Sequence, residues 1–136
     1  MVVSITEGEI RNIFNNVQRV AVVGLSDKPW MPSVSISWYF DEIYDVVPVN
    51  PKHVELMDRP CYPSLADVPG QVDMAVIFQR SEEVPRHVDA AIAKGVRYFW
   101  MQSGIRNRAA RDRLEAAGLF VVEDRCSKVD HMTLSR

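Results

Sequence analysis

The residues with binding chemistry fall into four short clusters, each at the end of an apolar run. Gly24, Ser26 and Lys28 stand at and just after the end of the first run, residues 19–25. A glycine lets backbone approach a ligand closely, a serine hydroxyl donates a hydrogen bond, and lysine supplies a cation. Asn50 and Lys52 end the second run. Phe78 and Arg80 end the third: Arg80 can pair with a phosphate, and Phe78 can pack on an apolar part of the same ligand. Gln102 and Ser103 end the fourth and can hydrogen-bond amides. Together these groups suit a phosphorylated, amide-bearing small molecule. Each cluster has a plainer reading as well, Gly24 as a tight surface turn and Asn50-Pro51 as turn punctuation.

The clusters depart from a dinucleotide site of the NAD type. A GxGxxG fingerprint would need glycine at positions 26 and 29, where serine and proline stand. A carboxylate normally holds the NAD ribose diol after the second strand. Asn50 is neutral there and Lys52 is cationic, which suits a phosphorylated ribose. Coenzyme A and NADP both carry one, so charge does not separate them.

Nothing in the sequence forms a convincing catalytic set, and binding without turnover is the expectation. His53, His87 and His131 fall in different elements, and His87 is expected to be solvated. Cys126 and His131 offer a thiol–imidazole pair as the one nucleophilic alternative. Glu82-Glu83 and Asp41-Glu42 read as solvated helix surface. Cys61 and Cys126 lack a CxxC spacing, so two reduced thiols are expected rather than a zinc site or a disulfide.

These clusters need elements to position them. Residues 5–17 carry a helical apolar stripe behind a Thr6/Glu9 capping box. The run 19–25 suits a strand buried on both faces. Residues 33–43 read as a helix capped by Ser33, and 44–50 as a second strand that Pro48 marks as an edge. A short edge strand at 54–57 and a helical turn at 63–68 precede the third strand, 72–78. A helix capped by Ser81 spans 81–95, with Pro85 in its first turn. A strand at 96–101, a helix at 107–117, a strand at 119–122 and a polar tail from Glu123 complete the chain. This alternation predicts an α/β, Rossmann-like, three-layer αβα domain over residues 1–136, with a mainly parallel sheet of five to six strands. The expected order is 2-1-3-4-5, and ligands bind such sheets at the carboxyl edge where the winding reverses.

Composition narrows the partners. A net charge of −2 gives no field for nonspecific nucleic-acid binding. No run of about 18 apolar residues predicts a transmembrane helix. The first sixteen residues lack a signal-peptide pattern, so a cytoplasmic location is expected.

At the four loops the sequence resembles the small stand-alone CoA-binding proteins, related to the N-terminal CoA-binding domain of succinyl-CoA synthetase α subunits. The matching stretches are 20–29, Pro32-Ser33, 47–52, 61–68, 80–85, 102–107 and 124–126. The resemblance implies coenzyme A or an acyl-CoA as ligand. It implies phosphates near Gly24, Ser26 and Lys28, and the adenosine end near Asn50, Pro51 and Lys52. Phe78 and Arg80 would border pyrophosphate and pantetheine, with Gln102 and Gly104 along the pantetheine arm; Ser33 joins this set. Met31 and Gln79 stand where the family often has basic residues. The alternatives are an NADP-dependent oxidoreductase component, or an interaction subunit using Trp30, Met31 and Trp38 as an apolar patch, with a second copy or another protein as partner.

Overall fold

Five apolar runs become five parallel strands of one sheet. In the computed structural model, which describes residues 5–134, they are β1 (Arg19–Val23), β2 (Asp45–Val49), β5 (Met74–Ile77), β6 (Tyr98–Met101) and β7 (Phe120–Val122). The order is β2-β1-β5-β6-β7, the predicted 2-1-3-4-5. Pro48 sits in β2, an edge strand, where a missing amide costs least. Alternate residues of each strand face opposite layers. Ala21, Val23, Ala75, Ile77, Phe99 and Met101 point to the layer of α3 (Val88–Lys94) and α4 (Arg108–Ala116). Val20, Val22, Met74, Val76 and Trp100 point to the other layer. That layer holds α1 (Glu7–Asn15), α2 (Pro32–Asp41) and α5 (Ser127–Leu134). The protein is therefore a Rossmann-like αβα domain. Among the described residues no helix is long and apolar enough to cross a membrane.

At the amino edge of the sheet the buried Asp73 carboxylate fixes the start of β1 against β5. Its Oδ2 accepts from the Gln18 and Arg19 amides, each at 2.9 Å. Arg97 Nη2 lies 3.4 Å from Oδ1. Burial pushes this carboxyl up, but the Arg19 and Gln18 amides and the Arg97 guanidinium outweigh it and hold the pKa below the usual carboxylate range.

The capping box of α1 forms as predicted: Glu9 N donates to Thr6 Oγ1 at 3.1 Å and Thr6 N to Glu9 Oε1 at 2.9 Å. Other local expectations are corrected. The helix predicted at 81–95 is divided into a 3₁₀ stretch, Ser81–His87, and α3. Pro85 explains the division, since it lacks an amide and its ring would strike the carbonyl of residue 81 in an α-helix. Ser81 caps nothing there: its Oγ accepts from Arg106 N at 2.9 Å and its carbonyl from Asn107 Nδ2 at 3.0 Å. Helix α2 has Met31, not Ser33, at its cap and Pro32 in its first turn. The short strand near 54–57 pairs not with the main sheet but with a partner the sequence reading omitted. β3 (Glu55–Leu56) and β4 (Arg59–Pro60) form a separate hairpin. Met57 and Asp58 turn it at φ 56° and 57°, the primed-turn geometry. Asp41 is not solvated either: Arg59 grips it through both terminal nitrogens, at 2.5 and 2.9 Å, and the bond lowers its pKa. The polar tail contains helix α5, and His87 is half-buried rather than solvated.

Candidate functional site

The winding reverses between β1 and β5, and the loops leaving these strands spread apart there. β1 leads into α2 on one layer, while β5 leads into Ser81–His87 and α3 on the other. The divergence opens a cleft of about 730 Å³ at the carboxyl edge. Its apolar wall includes Met31, Ile36, Phe78 and Ile105. Its polar groups include Ser33, Arg80, Gln102 and Ser103.

Six of the eleven residues expected at a cofactor site line this cleft: Gly24, Ser33, Phe78, Arg80, Gln102 and Gly104. Ser26, Lys28, Asn50, Pro51 and Lys52 lie outside its lining. Asn50 works as a brace between loops: Nδ2 donates to Leu25 O at 2.9 Å, and Oδ1 accepts from Lys52 N at 2.9 Å. Pro51 and Lys52 are exposed on that turn.

The β1 loop folds around two hydroxyls. Ser26 N donates to Ser33 Oγ and Lys28 N to Ser26 Oγ, both at 3.0 Å. These amides are thereby spent within the loop, whereas each hydroxyl has used a lone pair and keeps its hydrogen to donate. Gly24 has a structural reason of its own. Its φ is +89°, and a Cβ built there would lie 2.6 Å from the Phe78 carbonyl oxygen. Gly24 N donates to Val49 O and Phe78 N to Val23 O, both at 2.8 Å, so the backbones are pinned at that approach.

Two cations of these loops, Arg80 and Lys28, are loosely held. Arg80 is 79% exposed, with Glu82 at 3.5 Å and Glu83 at 3.9 Å. Lys28 lies 3.8 Å from Asp27. Exposed pairs contribute roughly 0–1 kcal/mol, so either cation can turn to an anion at small cost. Glu83 itself is held by Arg86 at 2.9 Å.

The loop after β6 is tied down from the far side. Gly104, at φ +82°, donates its amide to Asp124 Oδ1 at 2.6 Å. Asp124, itself at φ +55°, also receives Arg106 Nη2 at 2.5 Å. The Gly104 amide and the Arg106 guanidinium hold its carboxyl below the usual range. Gln102 is buried, and its Oε1 accepts from Ser127 N at 3.1 Å, the first residue of α5. The Ser127 hydroxyl is buried and has no partner among the described residues.

Sequence reasoning missed several wall residues. Ile36 was legible one helical turn beyond Ser33, and Ile105 next to Gly104. Cys126 also lines the cleft. The thiol–imidazole alternative does not form as envisaged. Tyr39 Oη and His131 Nδ1 share a hydrogen bond at 2.6 Å, and Phe14 packs edge-on to the imidazole with ring centres 5.0 Å apart. Cys61 is buried, donates to Asn50 O at 3.6 Å, and has its pKa pushed up by burial. His87 Nε2 is buried without a partner among the described residues, and burial, then Arg86, lowers its pKa against the pull of Glu83. Trp30, Met31 and Trp38 are all exposed, and Arg59 lies over the Trp38 ring at 5.8 Å.

A doubly wound parallel sheet with its cleft at the winding reversal defines the class, a Rossmann-like αβα domain. The sequence profile of the CoA binding domain matches residues 18–132, and the chain belongs to that family. It is similar to the uncharacterized protein YneT of Bacillus subtilis, 34% identical over 127 residues, which is 93% of this chain and 94% of that one. It also resembles acetate–CoA ligase (ADP-forming) II of Archaeoglobus fulgidus, 32% identical over 92 residues. That match spans 65% of this chain but only 14% of the ligase. Among solved structures, a hypothetical protein from Pyrococcus horikoshii OT3 superposes with a TM-score of 0.91 at 33% identity. The match covers 98% of this chain and 99% of that one.

Proposed function

We propose that the cleft binds coenzyme A or an acyl-CoA and that this chain alone does no chemistry on it. The observation that carries the reading is the gathering of Gly24, Ser33, Phe78, Arg80, Gln102 and Gly104 around one cleft, in a member of a CoA-binding family. In this reading Arg80 and Lys28 meet phosphates, with the Ser26 and Ser33 hydroxyls donating beside them. The turn at Asn50–Lys52 receives the adenosine end, and the pantetheine arm runs past Phe78 to Gln102 and Gly104. Support for binding without turnover is that Tyr39 Oη engages His131 Nδ1, the imidazole of the thiol–imidazole alternative. The small molecule is the principal partner, and the working compartment is the cytoplasm.

A thermal-shift panel tests this. CoA at 100 times its Kd stabilises the folded state by about 2.7 kcal/mol. CoA and acetyl-CoA are expected to raise the melting temperature more than dephospho-CoA, NADP, NAD or ATP. An unchanged melting temperature at millimolar CoA would refute the reading. A larger shift with NADP would transfer the site to the oxidoreductase alternative.

A further inference from the structure

We propose that Cys126 captures coenzyme A covalently, exchanging with CoA disulfide to hold CoA in the cleft as a mixed disulfide. The inference rests on the CoA reading above. It adds a bond, and a redox-dependent residence, to what that reading treats as reversible binding.

The first supporting observation separates the two thiols. Cys126 lines the cleft and is half-buried. Cys61 is outside the lining, 6% exposed, and donates to Asn50 O. A disulfide entering the cleft therefore meets one sulfur and not the other. The Cys126 backbone is fixed as well, since its carbonyl accepts from Asp130 N at 3.0 Å at the start of α5. Arg125 Nε and Nη2 bind the Asp130 carboxylate at 2.6 and 3.0 Å.

The second observation is independent of the thiol and points to a ligand. Gln102 lines the same cleft yet is only 4% exposed. Its Oε1 is taken by Ser127 N at 3.1 Å, the residue next to Cys126. Its NH₂ has no protein acceptor among the described residues, and the side chain borders the cleft. That nitrogen is not among the fully buried unpaired atoms, His87 Nε2 and Ser127 Oγ, so it stays accessible at the cleft, where a ligand acceptor can pair with it. The pantetheine arm ends in an amide whose nitrogen is joined to the thiol by a two-carbon ethylene link, so its carbonyl lies only a few bonds from the sulfur. An arm bonded to Gln102 therefore holds its sulfur close to the segment that carries Cys126.

The step is a thiol–disulfide exchange. The Cys126 thiolate attacks one sulfur of CoA disulfide. A new S–S bond joins Cys126 to one CoA, and the original S–S bond breaks. The second CoA leaves as a thiolate and takes up the proton that Cys126 gave to solvent. No further oxidant is required, because one disulfide replaces another.

The test uses the full chain, freed of reductant and incubated with CoA disulfide, followed by intact mass and peptide mapping. One CoA per chain is expected, on Cys126, released by dithiothreitol. Cys61→Ser should retain the adduct and Cys126→Ser should lose it; if the latter fails to fold, mapping of the wild-type adduct decides the position. Prior binding raises the local concentration of the reacting sulfur, so capture should be at least about tenfold faster than with oxidised glutathione. An adduct on Cys61, equal rates with the two disulfides, or no adduct would each overturn the proposal. Calorimetry of the wild-type chain with CoA under a phosphine reductant separates the two claims. Binding there without capture removes the covalent step alone, and absence of both removes the CoA reading with it.

Discussion

Gly24→Ala tests whether this glycine serves the sheet or the ligand. The residue lies in the left-handed region at φ +89°, and the new methyl would sit 2.6 Å from Phe78 O and 2.8 Å from Gln79 Nε2. The Gln79 amide is the end of a flexible side chain and can move. The Phe78 carbonyl cannot, because Phe78 N is bonded to Val23 O and Gly24 N to Val49 O, both at 2.8 Å. Backbone strain at such a residue costs about 1–3 kcal/mol. Forcing a methyl into a packed contact adds about 1–3 kcal/mol. Stiffening the unfolded chain returns about 0.4–1 kcal/mol. The net expectation is a loss of about 1–5.5 kcal/mol, centred on about 3 kcal/mol, out of the roughly 5–15 kcal/mol typical of a domain. In a chain of this size each kcal/mol shifts the midpoint by about 3–5 °C, so a fall on the order of 10 °C or more is expected. Urea and thermal unfolding measure it. A variant within about 0.5 kcal/mol of wild type would refute the packing argument. If that same stable variant no longer bound CoA, the glycine would owe its place to close approach of the ligand instead.

Three other perturbations probe the site and its frame. Arg80→Glu should weaken CoA binding by at least about 1.5–3 kcal/mol while leaving the unfolding midpoint nearly unchanged, because the side chain is exposed; equal calorimetric affinities would remove Arg80 from phosphate contact. Asp73→Asn should cost about 2–3 kcal/mol at neutral pH, since two amides lose a charged acceptor. The Asp73 pKa is depressed in the fold, so this stabilisation is present above the unfolded value of about 3.9 and fades as pH falls through the folded value. The gap between the two urea curves should close in strong acid, and a pH-independent gap would contradict the assignment. His87 is also depressed, through burial. Its neutral form therefore favours folding above about pH 6.5, and that contribution is lost as pH falls further. His87→Gln should flatten the stability profile below neutrality; a profile parallel to wild type would show that this imidazole is not charged on unfolding.

The sheet was legible because its signal is redundant. Each of the five strands is an apolar run, each run is bounded by a helix pattern, and right-handed crossovers leave little choice of order. The cleft followed from the order, since the reversal between β1 and β5 is a property of topology rather than of any one residue. What was illegible depends on contacts between segments distant in sequence. Helix α5 escaped because its exposed face carries Val129 and Met132 while its buried residues are Ser127 and Asp130, the inverse of an amphipathic stripe. Ser127 N binds Gln102 and Asp130 binds Arg125, so α5 docks partly through polar bonds that periodicity does not register. Cys126 entered the cleft with that helix and was hidden for the same reason. Ser33 and Ser81 show the same limit from the other side. Both look like helix caps by type and position, yet their hydroxyls accept from Ser26 N and Arg106 N and so stitch the cleft's own loops together. A cap is a local choice that sequence can rank; a loop-to-loop bond competes with it only once the fold has brought the second amide near. At this cleft that competition is won by the tertiary contact, which is why its lining, rather than its sheet, is where chemistry had to be read from structure.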